Sequence, residues 1–319
     1  QKDSAFEGAY VKDPQVGKHD WVASFDLNSL YPHLMMQFNI SPETLIEPAN
    51  YSPEMRDIIM AGVTVDKMID KQIDLSKLKN TTLTPNGQFF RTDKRGFLPQ
   101  MMEEMYNDRS KFKKLMLKSK QDYENEKDPS KRKEIKNLVA RYENLQLAKK
   151  VSLNSAYGAL GSQYFRFYDL RMALAVTMAG QLSIRWIENK INEYMNKLLK
   201  TSEDYVIASD TDSIYLRLGP LVNKVYTGDK NPGSIIQFMD KVCEDKIQPY
   251  IDESYQELAT YVNAYEQKMQ MKREALCDKG IWTAKKRYIL NVYNNEGVQY
   301  NEPQMKVMGL EMIKSSTPS

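Results

Sequence analysis

Apolar positions recur along this chain with two periods, one typical of strands and one typical of helices. Short apolar runs predict strands at residues 21–25, ending at Asp26, and at residues 205–208. Helical spacing predicts a helix over 29–39 and two long helices, from Leu98 to about residue 125 and from Lys131 to about Leu160. Further helices are predicted over residues 169–200 and 234–272.

Turn residues divide these segments and indicate how the strands pair. Residues 42–98 are rich in Pro, Asn, Asp and Thr, which predicts an irregular connection with one short helix and a hairpin turning at 84–87. Strands at 205–208 and 214–216 would form one hairpin, and strands at 287–293 and 306–308 follow. The predicted fold class is α+β: a mixed, mainly antiparallel sheet backed by helices, with an inserted antiparallel helical hairpin.

The small numbers of cysteines and histidines exclude several kinds of metal and catalytic site. The two cysteines, Cys243 and Cys277, are too few for a disulfide framework or a cysteine zinc site, so we expect both to be reduced and structural. The two histidines, His19 and His33, have no partner at metal-ligand spacing, which argues against triad hydrolases and histidine-rich metal centres. A bound metal is therefore expected to be a hard cation held by carboxylate oxygens.

The 319 residues contain no apolar run of the ~20 residues that a membrane-spanning helix needs, so no membrane partner is expected. The first residues, Gln1-Lys2-Asp3-Ser4, predict no secretion signal, and the missing initiator Met suggests a piece of a longer chain.

Charge is distributed unevenly. Residues 94–150 contain 16 Lys and Arg against 9 Asp and Glu, a local excess of +7, so the net charge of +3 leaves −4 for the rest. This distribution indicates either a polyanion partner beside a carboxylate site or simply solvated helix faces.

The run Ser209-Asp210-Thr211-Asp212-Ser213 places two carboxylates two positions apart in a tight hairpin. It is either a polar turn or part of a cation site, and the flanking apolar strands favour the site. Asp26, at the end of a strand and before a helix, is either a helix cap or a third ligand. Together the aspartates predict a three-carboxylate cluster suited to two divalent metals.

Three segments together resemble the motifs of family B DNA polymerases. Residues 26–32 (DLNSLYP) resemble motif A, residues 150–161 (KVSLNSAYGALG) motif B, and residues 210–213 (DTDS) motif C. The closest likeness is to the replicative polymerases of T-even-type bacteriophages, extending to residues 164–171 and to Met308–Glu311 with Lys314–Pro318. The resemblance covers essentially the whole chain, as a palm with inserted fingers.

The resemblance implies a metal site. Asp26 and Asp212 would be the principal ligands of two Mg²⁺ ions, for which Mn²⁺ can substitute, with the carbonyl of Leu27 as a backbone ligand. Asp210 would have a more peripheral catalytic role.

The resemblance also implies a nucleotide site. Ser29 and Leu30 would offer backbone N–H groups to the triphosphate of a dNTP, and Tyr31 would be the steric gate that excludes a 2′-hydroxyl. The triphosphate would be gripped from the two fingers helices by Arg109, Lys113, Lys150 and Asn154. Without the motifs, a core tyrosine and solvated cations would be the simpler interpretations.

Primer-template DNA would be contacted by Tyr157 and Gly158 of motif B and by Lys285, Lys286, Arg287 and Tyr288, which resemble the family's KKRY motif. Glu274 matches a palm carboxylate near the metals. Tyr10, after Gly8-Ala9, resembles the template-contacting linker between exonuclease and polymerase modules.

The resemblance implies palm at residues 1–95, fingers at 96–160 and palm again at 161–319, ending where a thumb would begin. Its function would be template-directed DNA synthesis in the cytoplasm of an infected bacterial host, with exonuclease and thumb modules, on the same or a separate chain, and a sliding clamp as partners. Without those modules the fragment would be weak or inactive.

Two positions depart from the family pattern, and two other functions compete. Ala208-Ser209 stand where motif C usually has Tyr-Gly, and His33, which we expect to be packed, replaces a small polar residue. We expect metal binding to be retained, and the sequence leaves the effect on primer-end positioning open. A nucleotidyl cyclase would lack Tyr31 and the Lys150–Gly161 helix. A non-catalytic DNA-binding module would not need Asp26 and Asp212.

Overall fold

The computed structural model describes residues 8–310, which fall into two compact units. The first unit comprises the residues up to Ala9, Leu27–Ile187 and Asp252–Gln270; the second comprises Tyr10–Asp26, Glu188–Ile251 and the residues from Met271 onward. The likeness at Glu311 and Lys314–Pro318 lies outside the described residues. The palm and fingers boundaries stay a prediction.

The helices and strands are as follows. The helices are α1 Leu30–Gln37, α2 Pro53–Ala61, α3 Val65–Ile69, α4 Phe97–Asn125, α5 Pro129–Leu160, α6 Leu170–Leu199, α7 Gly219–Val225, α8 Pro232–Val242 and α9 Gln248–Tyr261. The strands are β1 Gly17–Leu27, β2 Thr81–Thr84, β3 Gln88–Arg91, β4 Val206–Asp210, β5 Ser213–Arg217, β6 Met271–Ala284, β7 Arg287–Asn295 and β8 Val298–Met308. A 3₁₀ turn lies at Pro48–Asn50, and a π-helical segment at Cys243–Ile247 joins α8 to α9.

Six strands form one sheet in the order β4-β5-β1-β6-β7-β8. The pairs β1–β5, β4–β5, β6–β7 and β7–β8 are antiparallel. Apolar side chains from most of these strands form a buried cluster that includes Val22, Ile207, Trp282 and Leu290. The predicted α+β class and its mainly antiparallel sheet are confirmed.

The long helices α4 and α5 form the predicted antiparallel hairpin. Pro99 lies in the first turn of α4, where the missing N–H costs nothing. Asp128 caps α5 by accepting hydrogen bonds from the N–H groups of Ser130 and Lys131. Further along, Lys149 of α5 is paired with Asp108 of α4.

The first unit has its own core. Helix α1 is buried on nearly all sides, and its residues Leu34 and Met35 are fully enclosed. The hairpin of β2 and β3 adds Phe89 and Phe90. The indole N–H of Trp186 donates to the Ser254 carbonyl at 2.9 Å, so this buried polar group is satisfied.

The predicted helix over 234–272 is only partly right. Helical structure runs from Pro232 to Tyr261, but Asn263 has a left-handed backbone (φ 53°) and donates its side-chain amide to the Leu75 carbonyl, so the helix ends. Strand β6 then begins at Met271 and was not predicted. Bulges near Leu276 and Cys277 interrupt its alternation, which removes the period-2 signal from the sequence.

The predictions for residues 42–98, for the cysteines and for membrane-spanning helices can also be compared with the structure. The segment 42–98 contains two short helices, α2 and α3, where one was expected, and its predicted hairpin is β2–β3. Cys243 and Cys277 are free and buried, as expected. Among residues 8–310, none of the helices is long and apolar enough to cross a bilayer.

Candidate active site

The Asp210–Asp212 run is the turn of the β4–β5 hairpin. Asp210 pairs with Ser213, so Thr211 and Asp212 form a two-residue turn, closed by a 2.6 Å hydrogen bond from the Asp212 N–H to the Asp210 carbonyl. Thr211 has φ 56°, a left-handed conformation that is rare for a β-branched residue. Strain of this kind is typical of functional sites.

Asp26 lies on the strand next to this turn. Strand β1 pairs with β5 so that Asp26 faces Ser213, the residue after Asp212. Burial raises the pKa of Asp26 to about 8, and the neighbouring carboxylates of Glu274 and Asp212 add to the shift, whereas Ser213 opposes it. The Asp26 charge is therefore costly in the protein alone, and a bound cation would relieve the cost.

A cavity of about 330 Å³ opens at this end of the sheet. Four carboxylates line it together with two lysines, namely Asp26, Asp210, Asp212, Glu274, Lys286 and Lys306. Lys286 Nζ lies 3.2 Å from Asp210 Oδ1, and Lys306 Nζ lies 3.8 Å from Glu274 Oε1. Each lysine thus lies near one of the carboxylates, Lys286 near Asp210 and Lys306 near Glu274.

The donor set fits a hard cation, although it is not arranged as a preformed three-carboxylate site. Within residues 8–310, no three His, Cys, Asp or Glu side chains are grouped so that they could hold a metal. Asp210 Oδ1 is paired with Lys286 Nζ, and a metal site shared by the three aspartates stays a prediction. Asp26 Oδ1 is nevertheless buried and, within the described residues, has no hydrogen-bond partner, so it could accept a cation.

The KKRY segment forms the turn between β6 and β7. Ala284 pairs with Arg287, so Lys285 and Lys286 form the turn, and Lys286 has φ 61°. Gly309 packs against this turn so closely that a Cβ there would collide with the Lys286 carbonyl. Lys285, Lys286 and Arg287 are exposed. Their contact with DNA stays a prediction.

Tyr288 differs from its three predecessors because it is buried. Its hydroxyl is 2.6 Å from the hydroxyl of Tyr215 on β5, and their ring centroids are 5.1 Å apart. Both tyrosines line the cavity. The position of Tyr288 indicates that it supports the sheet beside the carboxylates.

The motif A helix lies in the first unit. Ser29 precedes α1 in a left-handed conformation (φ 40°), and its side chain does not cap the helix. Instead Ser29 Oγ accepts a 2.9 Å hydrogen bond from Nη1 of Arg109 on α4. His33 is buried, bonds through Nδ1 to the Ser29 carbonyl at 2.9 Å and meets Tyr106 edge-on, so its expected packing role is confirmed.

Tyr31 meets motif B through an aromatic contact. Its ring centroid is 4.7 Å from that of Tyr157 on α5, and a Cβ at Gly180 of α6 would lie 3.3 Å from Tyr31 Cε1. The Leu30 side chain is almost fully buried beside the same glycine. The rings of Tyr31 and Tyr157 are thus held between three helices of one unit.

The polar side chains of α4 and α5 that are predicted to grip a triphosphate differ in their surroundings. Arg109 Nε also donates to Gln146 Oε1 of α5 at 3.3 Å. Lys150, Asn154 and Gly158 are exposed on α5, and Lys113 is half-buried on α4. The structure therefore links Arg109 to Ser29 and Tyr31 to Tyr157, and it leaves Lys150 and Asn154 accessible.

Four residues that line the carboxylate cavity or contact Arg109 and Tyr31 were not predicted from the sequence. Tyr215 and Lys306 line the carboxylate cavity, Gln146 bonds Arg109, and Gly180 packs against Tyr31. None carries a local signal. Tyr215 lies on β5, shortly after the aspartates. The partner of its hydroxyl, Tyr288, is 73 positions further along the chain, so the sequence near Tyr215 does not reveal the contact.

The sequence model of DNA polymerase family B matches residues 1–226, which is more than half of the chain. Together with the geometry of the carboxylate turn, this match shows that the chain belongs to DNA polymerase family B.

Two phage proteins are similar to nearly the whole chain. It is 34% identical over 360 residues to the DNA-directed DNA polymerase of Escherichia phage RB69, covering 98% of this chain and 38% of the relative. It is 35% identical over 361 residues to that of Enterobacteria phage T4, covering 98% of this chain and 39% of the relative. A DNA polymerase delta catalytic subunit of Candida albicans is 32% identical over 220 residues, covering 67% of this chain and 18% of the relative. The chain thus spans less than two-fifths of the length of these relatives.

Proposed function

We propose that this chain provides the catalytic residues for template-directed DNA synthesis, in which a primer 3′-hydroxyl attacks the α-phosphate of a dNTP and pyrophosphate leaves. Membership of DNA polymerase family B supports this reaction class. The observation that carries the proposal is Asp26, whose carboxyl is buried beside Glu274 and Asp212 and has an unbonded oxygen among the described residues. A bound cation would stabilise the charged form of this buried carboxylate.

Divalent metals are used by family B DNA polymerases in general. Two bound Mg²⁺ ions, or Mn²⁺ in their place, would lower the pKa of the primer hydroxyl and stabilise the charge of the leaving pyrophosphate. Asp26 and Asp212 would hold these ions with the Leu27 carbonyl. Asp210 would act at the periphery, where its pairing with Lys286 supports a lesser role.

The first unit would bind the incoming nucleotide. The left-handed Ser29 leaves the first N–H groups of α1, including that of Leu30, free of a side-chain cap, which suits a phosphate. Arg109, Lys113, Lys150 and Asn154 would grip the triphosphate, and the ring of Tyr31 would exclude a ribose 2′-hydroxyl. The contact of Arg109 with Ser29 supports these roles, because it couples α4 to the start of α1.

The primer-template duplex would meet Tyr157 and Gly158 of motif B and the exposed KKR turn with its buried support, Tyr288. We further propose that exonuclease and thumb modules, on the same or a separate chain, and a sliding clamp are partners, and that the reaction takes place in an infected bacterial cell. The phage relatives motivate these proposals. Adding a thumb-containing segment in trans should increase primer extension, and the increase should shrink as salt rises.

Primer extension with single-aspartate variants tests the central proposal. Asp26→Ala and Asp212→Ala should each lower extension at least about a hundredfold, because each removes a metal ligand. Asp20→Ala is the matched control, since Asp20 is an exposed carboxylate on the same strand as Asp26. Equal extension by wild type, Asp26→Ala and Asp212→Ala would refute catalysis by this chain and favour a DNA-binding module.

A further inference from the structure

The strand that carries Asp210 is at the edge of the sheet, and a segment near the chain start covers that edge. Strand β4 is the terminal strand of the six. The N–H groups of Lys12 and Gln15 donate to the carbonyls of Ser209 and Ile207, each at 2.9 Å. The backbone of residues 10–15, which we call the edge segment, thereby satisfies polar groups that an uncovered edge would leave exposed.

The edge segment also reaches the carboxylate turn itself. The N–H of Thr211 donates to the Tyr10 carbonyl at 2.9 Å, and Val11 lies opposite Asp210 in an isolated bridge. Thr211 is the residue with the left-handed backbone, an unfavourable conformation that persists only where the surrounding structure holds it. Tyr10 therefore holds the conformation that presents Asp212.

Lys12 anchors the edge segment. Its ammonium group has three acceptors, which match its three N–H donors: Asp204 Oδ2 at 2.5 Å, Glu188 Oε1 at 2.8 Å and the Val206 carbonyl at 2.8 Å. Glu188 lies on α6, and Val206 begins β4. The side chains of Lys12 and Glu188 are 15% and 11% exposed, so this pair is far better shielded than an ordinary surface ion pair.

The acceptors of Lys12 are themselves fixed. Asn192 of α6 donates to Asp204 Oδ1 at 2.9 Å and accepts the N–H of Tyr205 at 2.8 Å. Gln15 donates to the Asp204 carbonyl at 2.9 Å. The ammonium of Lys12 thus joins the edge segment, α6 and the start of β4 through groups that have little freedom to move.

We propose that Lys12 is a positioning residue for the carboxylate turn: it locks the edge segment onto β4, and the edge segment fixes Thr211 and hence Asp212. This inference rests on the proposed function for the metal-binding role of Asp212, but the mechanical link does not. Loss of the ammonium would leave Glu188 without its short ion pair and release the edge segment. The Asp212 carboxylate would then be less well ordered for a cation.

Two measurements on the full chain test the link. Lys12→Met keeps the aliphatic stem, Lys12→Arg keeps the charge, and Lys18→Met removes an exposed lysine from β1 as a control. Hydrogen exchange of peptides covering residues 205–215 reports on the turn. Electron paramagnetic resonance of free Mn²⁺ reports metal affinity without catalysis, with Asp212→Ala as the reference for binding lost.

A destabilised variant separates positioning from general loss of stability. Val292→Ala creates a small cavity in the core of the same sheet, and Val292 is not one of the residues that line the carboxylate cavity. We expect Lys12→Met to speed exchange over 207–212 and to weaken Mn²⁺ binding about tenfold, as loss of outer supporting contacts does in metal sites. Lys12→Arg, Lys18→Met and Val292→Ala should keep Mn²⁺ affinity near that of wild type.

Unchanged exchange over 207–212 in Lys12→Met would overturn the anchor. Faster exchange with Mn²⁺ affinity no lower than in Val292→Ala would overturn the positioning role and leave Lys12 a purely structural residue. If wild-type chain bound Mn²⁺ no better than Asp212→Ala, the proposed metal site would fail, and the positioning role with it. The exchange data would still decide the mechanical link on their own.

Discussion

Lys286 and Asp210 form an ion pair, with Nζ 3.2 Å from Oδ1, that joins two different turns of the same sheet. Lys286 belongs to the turn between β6 and β7, and Asp210 begins the turn between β4 and β5. The pair places a positive charge beside Asp210 in the cavity that Asp26 and Asp212 also line. The pair is consistent with a smaller role for Asp210 than for Asp212 in metal binding, which stays a prediction.

Replacing Lys286 should affect DNA binding much more than folding. The Lys286 side chain is 63% exposed, so Lys286→Gln should change the free energy of unfolding by less than about 1 kcal/mol. Binding of primer-template DNA should weaken, and the slope of log affinity against log salt should become shallower by about one phosphate contact. Fluorescence anisotropy at several salt concentrations measures both.

Lys279→Gln is the matched control for that experiment, since Lys279 is an exposed lysine on β6, the strand that leads into the Lys285-Lys286 turn. It should leave the salt slope unchanged. An equal loss in both variants would mean that the effect reflects net charge and not the position of Lys286.

Removing the Asp26 carboxylate should stabilise the metal-free protein. Because the pKa of Asp26 is raised from 3.8 to about 8, the folded chain keeps a proton that the unfolded chain has lost between these values. The stability contribution of Asp26 is therefore lost progressively as pH rises from about 4 to about 8, and Asn avoids this loss. Asp26→Asn in EDTA should raise the free energy of unfolding by several kcal/mol at about pH 9 and little at about pH 4.

Urea unfolding at the two pH values measures this difference, with Asp20→Asn as the control on the same strand. A gain that is equal at both pH values would contradict the link to the Asp26 charge. Primer extension should be lost in Asp26→Asn at every pH, so that stability and function change in opposite directions.

The sequence predicts the helices here well because their signals are local. Pro99 in the first turn of α4 and Asp128 before α5 mark helix starts within a few residues, and both helices begin there. The two-residue turn at Thr211-Asp212 was also predictable, since apolar runs flank it. The failure at β6 has the opposite cause: its bulges hide a strand whose partners are set by β7.

The residues of the candidate site also divide into those with a local sequence signal and those without one. Asp26, Asp212 and Arg109 could be predicted because each lies in a recognisable motif or helix face. Lys306 could not, because its approach to Glu274 depends on the register of β8 against β7. Pairing between distant segments has no counterpart in a local pattern, so the ion pairs that divide the carboxylates emerge only from the fold.

Ser209 should be a small energetic cost to the fold. It is 1% exposed, and within the described residues its Oγ has no hydrogen-bond partner. A buried hydroxyl without a partner is unfavourable, so Ser209→Ala should raise the free energy of unfolding by about 1 kcal/mol. Thermal unfolding measures the change, and no gain would mean that the hydroxyl is satisfied in solution.

Ser209→Gly tests the departure from the family pattern at the same position. The change removes the hydroxyl but adds backbone freedom inside a strand, so the two effects on stability should nearly cancel. Mn²⁺ affinity should stay within about twofold of wild type, because the ligands themselves are unchanged. If primer extension rises well above that of the parent, Ser209 is a cost to catalysis as well.

Lys113 offers a contrast with its neighbour on α4. Lys113 is half-buried, whereas Lys114 is exposed, so the two point in different directions from the same turn. If Lys113 grips a triphosphate, Lys113→Ala should weaken dNTP binding roughly tenfold, the cost of one charge-assisted phosphate contact. Lys114→Ala should have less than about twofold effect. Calorimetric titration with dNTP and Ca²⁺, which avoids turnover, makes the comparison.

Gly180 should control how strictly the nucleotide sugar is selected. Its position on α6 leaves only 3.3 Å between a methyl carbon added there and Tyr31 Cε1, and 3.5 Å to Leu30 Cδ2 and Leu34 Cδ1. The side chain of Leu34 is fully buried and cannot yield easily, so Gly180→Ala should displace the Tyr31 ring. Because the ring also meets Tyr157, its new position should be set by that contact.

If Tyr31 is the steric gate, the displaced ring should change the ratio of dNTP to rNTP incorporation by about tenfold, which corresponds to about 1.4 kcal/mol. Overpacking should also lower stability by roughly 1–3 kcal/mol. Gly233→Ala is the control, since Gly233 is a helical glycine on α8 where an added Cβ would meet only Asn231 Oδ1, at 3.4 Å. An unchanged sugar ratio in Gly180→Ala, with the expected loss of stability, would show that Gly180 serves packing alone and that Tyr31 tolerates the shift.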